Sequence, residues 1–355
     1  MEQAITLNGK KYSPEDLKER IDHPTRPEWE KELMRFLIEW FGPGTTITQK
    51  TSGSTGVPKV LELKKRHMLA SARKTLDFFN LKPGDNAWLC LPIEYIAGKM
   101  MVIRALSGRL NLLATEPSGT PILPKIPINF AAMVPLQVYN LLQNPAHFSS
   151  IKRLIVGGAA LDDSLQKQLK EVGTEVYATY GMTETCSHIA LKRINGKNPD
   201  RAFHALPGVR LSQNESGCLI IDAPELCDTP LETRDRVKLF SDRSFEWIAR
   251  SDFLINSGGI KIEPEILEKR ITKIIGYESI IIPQKDPQLG EKIVLVLEKK
   301  GLTESAIRSL LQNKLDKHYQ PKNIRFIDHF PRNPSFKIDR LAIIAYLEKE
   351  LKSNK

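Results

Sequence analysis

The sequence from residue 154 to residue 185 is L-I-V-G-G-A-A-L-D-D-S-L-Q-K-Q-L-K-E-V-G-T-E-V-Y-A-T-Y-G-M-T-E-T. Two short apolar runs, Leu154 to Val156 and Glu175 to Ala178, flank a polar stretch of helical length. A strand, a helix and a second strand in this order favour a parallel sheet whose strands are linked across one face. This stretch therefore predicts an α/β fold.

The same alternation extends outward over the range from Thr46 to about Thr179. The predicted strands are Val60 to Leu63, Ala87 to Leu91 and Phe130 to Val134, and the predicted helices are Arg66 to Phe79 and Gly98 to Leu106. We therefore expect a large N-terminal domain of mostly parallel sheet flanked by helices.

The texture changes between Val209 and Trp247, where short strands and polar turns predict a small antiparallel β subdomain. A second α+β pattern follows; its predicted elements are a helix from Pro264 to about Thr272, strands Ser279 to Ile282 and Ile293 to Leu297, a helix from Thr303 to Asp316, and a strand from Ile324 to Ile327. The polar stretch from Arg250 to Ser257 is the expected boundary. We predict an N-terminal domain of residues 1–250 and a small, mobile C-terminal domain of residues 251–355.

Composition limits the functional classes. The chain has 355 residues, 41% apolar and 26% charged, which excludes collagenous and wholly disordered proteins. Its net charge of +10 suits nucleic acids, acidic lipids or anionic small molecules, and charge does not choose among them. Four scattered cysteines favour free thiols, and no apolar run approaches the roughly 20 residues of a membrane span. We expect a cytoplasmic protein without a signal peptide.

The first chemical motif is T-S-G-S-T-G-V-P-K, Thr51 to Lys59. Its glycines and hydroxyl residues allow backbone N–H groups to surround an anion, and Lys59 adds positive charge. It is not a Walker loop, because the spacing G-x-x-x-x-G-K-[ST] is absent. The alternative interpretation is a flexible Ser/Gly linker.

The second motif is Y-G-M-T-E-T, Tyr180 to Thr185, which we expect to form a loop at the end of a parallel strand, where α/β sheets bind ligands. Tyr180 offers an aromatic plane, Thr183 a hydroxyl, and Glu184 a hard carboxylate suited to Mg²⁺. The alternative is an ordinary turn into a helix capped by Thr183. A G-G-A loop, Gly157 to Ala159, follows the preceding strand and has room for a flat ring, although two glycines also suit a simple turn.

Two further blocks lie in the C-terminal third. Ala249 to Ile266 is A-R-S-D-F-L-I-N-S-G-G-I-K-I-E-P-E-I, at the expected domain boundary. Pro331 to Arg340 is P-R-N-P-S-F-K-I-D-R and places Lys337 in a loop near the end of the chain. On its own, Lys337 would most simply be a solvated surface lysine.

Together and in this order, the four blocks resemble the adenylate-forming acyl-CoA synthetase superfamily of AMP-binding enzymes. The resemblance runs from about Thr46 to Arg340 and implies ATP, Mg²⁺ and CoA as cofactor and co-substrates. The residues that it places at ATP or AMP are Thr51, Ser52, Gly53, Ser54, Thr55, Gly56 and Lys59 at the phosphates, Gly157, Gly158, Ala159, Tyr180 and Gly181 at adenine, and Asp235 and Arg250 at ribose. It also implies Lys337, Thr183 and Glu184 as catalytic residues, Glu184 as the metal ligand, Asp252 as the hinge, and Ser257, Gly258 and Gly259 at CoA.

The activity implied by the resemblance has two steps. A carboxylate attacks the α-phosphate of ATP to give acyl-AMP and pyrophosphate, and the CoA thiol then displaces AMP. Positive groups and Mg²⁺ must neutralise the like charges that meet in the first step. One site that serves two transition states explains a hinge that presents first Lys337 and then the face of Gly258 and Gly259.

Within the superfamily the chain most resembles the o-succinylbenzoate–CoA ligases of menaquinone biosynthesis. The resemblance rests on three stretches: Leu91 to Lys99, Met133 to Leu142, and the stretch from Leu154 to Ile189. It suggests an acyl pocket formed by Tyr95, Gly98, Lys99, Ser187 and His188. Lys99, Ser187 and His188 are the candidates for the carboxylate that does not react. Lys99 could equally be a helix-surface lysine, and His188 a packed histidine.

Three features depart from the superfamily pattern. Only 50 residues precede Thr51, fewer than is usual in the superfamily, so we expect a shortened N-terminal domain. Arg234 and Phe336 stand where the superfamily usually has glycine, before the ribose aspartate and the catalytic lysine. The alternatives are another aryl- or acyl-CoA ligase and a non-catalytic nucleotide-binding protein. Nucleic-acid binding is disfavoured because no basic stripe alternates with aromatic residues, and the oligomeric state is left open.

Overall fold

The structure is a computed structural model that describes residues 4–50, 60–161, 163–299, 301, 303–333 and 338–353, without the side chains of residues 252 and 351–353. Its elements fall into a large sheet with its helices, a short two-stranded sheet, and a smaller C-terminal sheet with three helices.

The N-terminal part begins with short elements and continues into alternating strands and helices. In chain order these are β1 (Ile5–Leu7), β2 (Lys10–Tyr12), α1 (Pro14–Ile21), α2 (Glu28–Phe41), β3 (Thr46–Lys50), β4 (Val60–Lys64), α3 (Lys65–Phe78), β5 (Asn86–Leu89), α4 (Ile96–Gly108), β6 (Asn111–Ala114), β7 (Phe130–Met133), α5 (Pro135–Leu141), β8 (Arg153–Val156), α6 (Asp163–Leu169) and β9 (Glu175–Gly181). Strands β1, β6, β5, β7, β8 and β9 are neighbours in that order and run parallel, which confirms the predicted α/β class.

Packing explains why these strands are apolar throughout. Along β5, Ala87 and Leu89 join the buried core on one face, while Trp88 and the following Cys90 join a second core on the other face. Because neighbouring strand residues point to opposite faces, a sheet covered on both sides needs apolar residues at every position.

The sheet continues through antiparallel strands. These are β10 (His188–Arg193), β11 (Phe203–Ala205), β12 (Arg210–Gln213), β13 (Cys218–Asp222), β14 (Leu231–Ser241) and β15 (Ser244–Arg250). The sheet order β9-β10-β11-β15-β14-β13-β12 makes the predicted β subdomain an extension of the same thirteen-stranded sheet. The junction is β9, which runs past Ala178 to Gly181 and pairs antiparallel with β10. Strand β4, predicted correctly, belongs instead to a separate antiparallel pair with β3.

The C-terminal part has its own sheet and core. Its elements are β16 (Ile255–Ser257), β17 (Ile260–Ile262), α7 (Pro264–Ile275), β18 (Ser279–Asp286), β19 (Gly290–Glu298), α8 (Glu304–Gln312), β20 (Asn323–Ile327) and α9 (Arg340–Ser353). The change of sheet falls between Arg250 and Ile255, inside the stretch predicted as the boundary. That residues 1–250 and 251–355 act as separate domains stays a prediction.

Two whole-chain observations complete the fold. All four cysteines are buried and free, as expected. None of the described helices combines the length and the apolar character needed to cross a membrane.

Candidate active site

A cavity of about 190 Å³ opens where the parallel strands β7, β8 and β9 end. This is the edge at which α/β sheets bind ligands. Its lining residues come from the carboxyl ends of these strands, the end of β3, the segment between β5 and α4, helix α4 itself, and the stretch that leads into β10. They are Gln49, Lys50, Leu91, Pro92, Tyr95, Ile96, Ala97, Arg104, Ala132, Met133, Val134, Ile155, Gly157, Gly158, Thr179, Gly181, Met182, Thr183, Ser187 and His188. Seven of the predicted site residues therefore line one cavity: Tyr95, Gly157, Gly158, Gly181, Thr183, Ser187 and His188.

A buried carboxylate, Asp235, organises the neighbouring part of the site. Its Oδ2 accepts a 2.8 Å hydrogen bond from Tyr180 Oη, and its Oδ1 accepts a 3.1 Å bond from Trp247 Nε1. Arg250 Nη1 lies 3.5 Å from Oδ1. Burial, followed by the charge of Asp235, raises the pKa of Tyr180, so its phenol remains a donor at neutral pH. Asp235 and Arg250, predicted at ribose, and Tyr180, predicted at adenine, thus form one group centred on the Asp235 carboxylate.

The predicted Y-G-M-T-E-T loop needs one correction. Tyr180 and Gly181 are the last residues of β9, and the turn begins only after them, as a short 3₁₀ helix over Thr183–Thr185. The strand continues because β10 supplies an antiparallel partner for it. Thr183 faces the cavity, whereas Glu184 is exposed.

Arg104 is a lining residue that sequence reasoning missed. It is 1% exposed, and burial lowers the pKa of its guanidinium to about 9, so it keeps its charge at pH 7. Nη2 donates to Ser187 Oγ at 2.7 Å, Nε donates to the hydroxyl of Thr75 at 3.2 Å, and Nη1 contacts Met101 Sδ at 3.5 Å. The signal available in the sequence was a charged residue within the apolar run from Met100 to Leu106.

His188 lies beside this arginine and is 5% exposed. Its Nδ1 is 3.3 Å from Ser187 Oγ, and its Nε2 is 3.3 Å from Thr75 Oγ1. Burial and the charge of Arg104 hold the pKa of His188 well below its usual range. The imidazole is therefore neutral at physiological pH.

Lys99 does not lie where we expected an acyl-pocket cation. Its Nζ donates to the backbone oxygen of Thr48 at 3.0 Å and lies 5.6 Å from the ring centroid of Phe36. Burial lowers the pKa of Lys99. The side chain ties α4 to β3 and is not among the residues that line the cavity, a geometry that argues against the expected contact with substrate; that contact stays a prediction.

Gly98 is likewise explained by packing. A Cβ at this position would lie 2.2 Å from the carbonyl oxygen of Pro92, too close for any other residue. Gly98 allows α4 to begin directly against the chain that leads into it. Packing alone thus accounts for Gly98, and its contact with substrate stays a prediction, whereas Tyr95, three residues earlier, lines the cavity.

The predicted CoA segment forms the turn of a tight hairpin. Ser257 ends β16 and Ile260 begins β17, and Gly258 and Gly259 between them have φ values of +60° and +83°. Two consecutive left-handed residues demand glycine in such a turn, so backbone geometry alone accounts for both glycines. Their contact with CoA stays a prediction.

Other predicted residues are placed only in part. Asp252 lies in a 3₁₀ turn over Ser251–Phe253, Ala159 is exposed beside Gly158, and Arg234 is exposed on β14. The remaining predictions lie outside the described residues: Thr51, Ser52, Gly53, Ser54, Thr55, Gly56, Lys59, Phe336 and Lys337.

Through α7, the C-terminal part contacts the residues around Asp235. The ammonium of Lys269 lies 5.2 Å from the ring centroid of Trp247, whose indole N–H donates to Asp235. Arg236 on β14 forms an ion pair with Glu263, the residue before α7. In this structure the C-terminal part therefore packs against β14, which carries Asp235, and β15, which carries Trp247.

Comparisons with known proteins agree with this geometry. A family model described as AMP-binding enzyme matches residues 45–221. A curated 2-succinylbenzoate–CoA ligase from Enterococcus faecalis is 29% identical, and the match covers 81% of this chain and 67% of the relative. Its counterpart from Salmonella typhimurium is 27% identical, with 88% and 71% covered.

Solved structures show the same relationship. An o-succinylbenzoate CoA synthetase from Bacillus subtilis, in complex with its acyl-adenylate intermediate, has a TM-score of 0.70 at 19% identity over 83% of this chain and 68% of its own, and shows the fold alone. An acyl-CoA synthetase (AMP-forming)/AMP-acid ligase II-like protein from Dyadobacter fermentans is 32% identical, with a TM-score of 0.62, over 95% of this chain and 99% of its own. The chain therefore belongs to the family of AMP-binding enzymes.

Proposed function

We propose that the chain is an ATP-dependent acid–CoA ligase whose acid is 2-succinylbenzoate. In the first step a carboxylate oxygen bonds to the α-phosphorus of ATP and pyrophosphate leaves. In the second step the CoA sulfur bonds to the acyl carbon, AMP leaves, and the thiol proton is released. The products are the CoA thioester, AMP and pyrophosphate.

The observation that carries the choice of acid is Arg104. Apart from Arg104, Lys50 is the other Lys or Arg among the described lining residues, and none of these is an aspartate or glutamate. An unpaired charge in a protein interior costs several kcal/mol, so a buried guanidinium favours a ligand that brings its own negative charge. The only carboxylate of a monocarboxylic acid reacts at the α-phosphate and leaves none for Arg104. A dicarboxylic acid has a second one for Arg104, in a bidentate geometry that arginine favours.

The carboxyl-end loops supply the other half of the site. Thr183, Gly157 and Gly158 line the cavity at this end. We assign the acid's reacting carboxylate to this side and its second carboxylate to the Arg104 side. The name shared by the Enterococcus and Salmonella relatives supports an aromatic dicarboxylate of this kind.

Mg²⁺ fits the residues that are present. This ion usually takes one or two protein carboxylates and completes its shell with phosphates and water. Glu184 is an exposed carboxylate next to Thr183, and it would hold the ion. When bound, Mg²⁺ neutralises phosphate charge during the attack. Lys337 and the segment from Thr51 to Lys59 keep the roles implied by the family.

The test is turnover of purified protein with ATP, CoA and 2-succinylbenzoate, with AMP, pyrophosphate and the thioester measured separately. ATP–pyrophosphate exchange with a panel of acids, benzoate included, compares substrates. We expect 2-succinylbenzoate to give the highest kcat/KM. A preference for a monocarboxylic aryl acid would refute the assignment of the acid. Binding of ATP without pyrophosphate release would instead indicate a non-catalytic nucleotide-binding protein.

A further inference from the structure

We propose that His188 is a positioning residue, whose imidazole orients the Arg104 guanidinium toward the substrate's second carboxylate through the hydroxyls of Thr75 and Ser187. The proposal rests on the proposed function. It concerns a residue that lies at the cavity and also contacts both hydroxyls that hold the arginine.

Four groups form a closed circuit of hydrogen bonds. Arg104 donates from Nε to Thr75 Oγ1 at 3.2 Å and from Nη2 to Ser187 Oγ at 2.7 Å. His188 closes the circuit with Nε2 and Nδ1, each 3.3 Å from one of the same two oxygens. Thr75 is fully buried, so these contacts replace solvent. Moving the imidazole would therefore remove one hydrogen-bond partner from each of the two oxygens that hold the guanidinium.

One assignment of hydrogens satisfies every group. The Thr75 hydroxyl donates to the carbonyl oxygen of Ser71 at 3.2 Å, so its oxygen must accept from His188, which places the imidazole hydrogen on Nε2. The bare Nδ1 then accepts from the Ser187 hydroxyl. Both hydroxyl oxygens are left free to accept from Arg104.

The opposite tautomer fits less well. A hydrogen on Nδ1 would point at Ser187 Oγ, which already accepts from Arg104. Among the described residues no other acceptor is found for the Ser187 hydroxyl hydrogen. A doubly protonated ring would also place a second positive charge beside Arg104. The circuit thus needs a neutral ring with its hydrogen on Nε2.

The same circuit leaves donors on Arg104 for a ligand. A guanidinium has five N–H groups, of which Nε and one on Nη2 are used by the two hydroxyls. Nη1 faces only the thioether of Met101, a weak acceptor, within the described surroundings. The remaining N–H groups of Nη1 and Nη2 are those that a carboxylate would engage.

Three variants separate the contributions of the ring. His188→Phe keeps a ring and removes both contacts, His188→Asn retains an acceptor at the Nδ1 position, and His188→Gln retains a donor at the Nε2 position. We expect His188→Phe to raise KM for 2-succinylbenzoate about tenfold, the two amides to raise it less, and KM for ATP and kcat to stay within twofold. His204→Phe, at an exposed histidine on β11, is the matched control and should change neither constant.

A second measurement needs no substrate. Nitrogen NMR of ¹⁵N-histidine-labelled protein should show His188 protonated at Nε2 and unprotonated at Nδ1 from pH 6 to pH 8. A hydrogen on Nδ1, or KM values for the acid equal to wild type in all three variants, would overturn the proposal. If wild type does not turn over 2-succinylbenzoate, the proposed function fails, and the variants are compared with the acid that exchange identifies while the NMR still decides the tautomer.

Discussion

Two cations on helix α4 have opposite roles although they lie only five residues apart. At about 100° per residue, Lys99 and Arg104 point roughly 140° away from each other. Lys99 bonds to Thr48 on β3, and Arg104 reaches the cavity. Sequence reasoning chose the lysine because it stands closest to the motif, whereas helix geometry favours the arginine.

Replacing each of these two cations in turn tests which one binds the acid. We expect Arg104→Met to raise KM for 2-succinylbenzoate at least tenfold, or about 1.4 kcal/mol, with KM for ATP nearly unchanged. Lys99→Met should leave both KM values near wild type, because its ammonium contacts backbone outside the cavity. Steady-state kinetics measure both. A tenfold rise for Lys99→Met with none for Arg104→Met would reverse the assignment.

His188 also predicts how stability depends on pH. Its pKa in the folded protein is well below the usual 6.5, so below pH 6.5 the unfolded chain binds a proton that the folded chain does not. The free energy of unfolding should therefore fall as pH decreases, by at most about 2 kcal/mol at pH 5. Urea unfolding at pH 7 and pH 5 measures this loss. His188→Phe should lose less stability than wild type over the same interval, and an equal loss would contradict the prediction.

At the scale of single elements, hydrophobic pattern was a good guide inside the sheet and a poor one at its edges. The runs at Leu154 and Glu175 became β8 and β9, because buried parallel strands must be apolar on both faces. The end of β9 at Gly181 was missed, since it depends on β10, a partner that local pattern does not show. Strand β6 was also missed, although its four residues match the length of β5, β7 and β8, which the pattern predicted.

Helices α7 and α9 meet at one largely buried ion pair. Arg340, the first residue of α9, donates to both carboxylate oxygens of Glu268 on α7, at 2.7 Å and 3.0 Å, and also to the backbone of β18 at Ile281. Glu268 in turn accepts from the Ile281 N–H at 2.6 Å. This pair therefore fixes α9 directly after the segment that contains Lys337.

Removing one partner of this pair should be costly. We expect Glu268→Ala to lower the free energy of unfolding by about 3 kcal/mol, because it leaves a buried guanidinium without its carboxylate. Glu304→Ala provides a matched control, since its bond to Arg308 is about half exposed and should contribute under about 0.5 kcal/mol. Urea unfolding of both variants gives the comparison. Similar losses for the two would show that the Arg340 pair is not buried in solution.

At the scale of the whole molecule, the continuous sheet explains how distant motifs form one site. Tyr180 on β9 and Asp235 on β14 are 55 residues apart in the sequence and share a hydrogen bond. They meet because the antiparallel strands β10, β11 and β15 connect β9 to β14 within one sheet. The motifs themselves were recognisable from sequence. The contacts between the motifs were not, because they depend on strand order. The same holds for Arg104, whose hydrogen-bond partners are Thr75 on α3 and Ser187 just before β10.

The two-step chemistry predicts a division of labour between the two parts of the chain. We expect Lys337→Ala to abolish formation of the acyl-adenylate and to spare thioester formation, because the lysine neutralises charge only during attack at the α-phosphate. Pyrophosphate release measures the first step, and preformed acyl-AMP with CoA measures the second. Equal losses in both steps would show that one arrangement of the molecule serves both reactions.

The indole of Trp247 gives this molecule a built-in optical reporter. It lies between Lys269 of the C-terminal part and the buried carboxylate of Asp235. The other three tryptophans lie on α2 and β5 and are Trp29, Trp40 and Trp88. An ammonium over an indole ring alters its excited state, so withdrawing α7 should change the emission of this one residue. If the hinge motion implied by the family resemblance occurs, stopped-flow fluorescence during a single turnover would time it, and Trp247→Phe would identify the source of the signal.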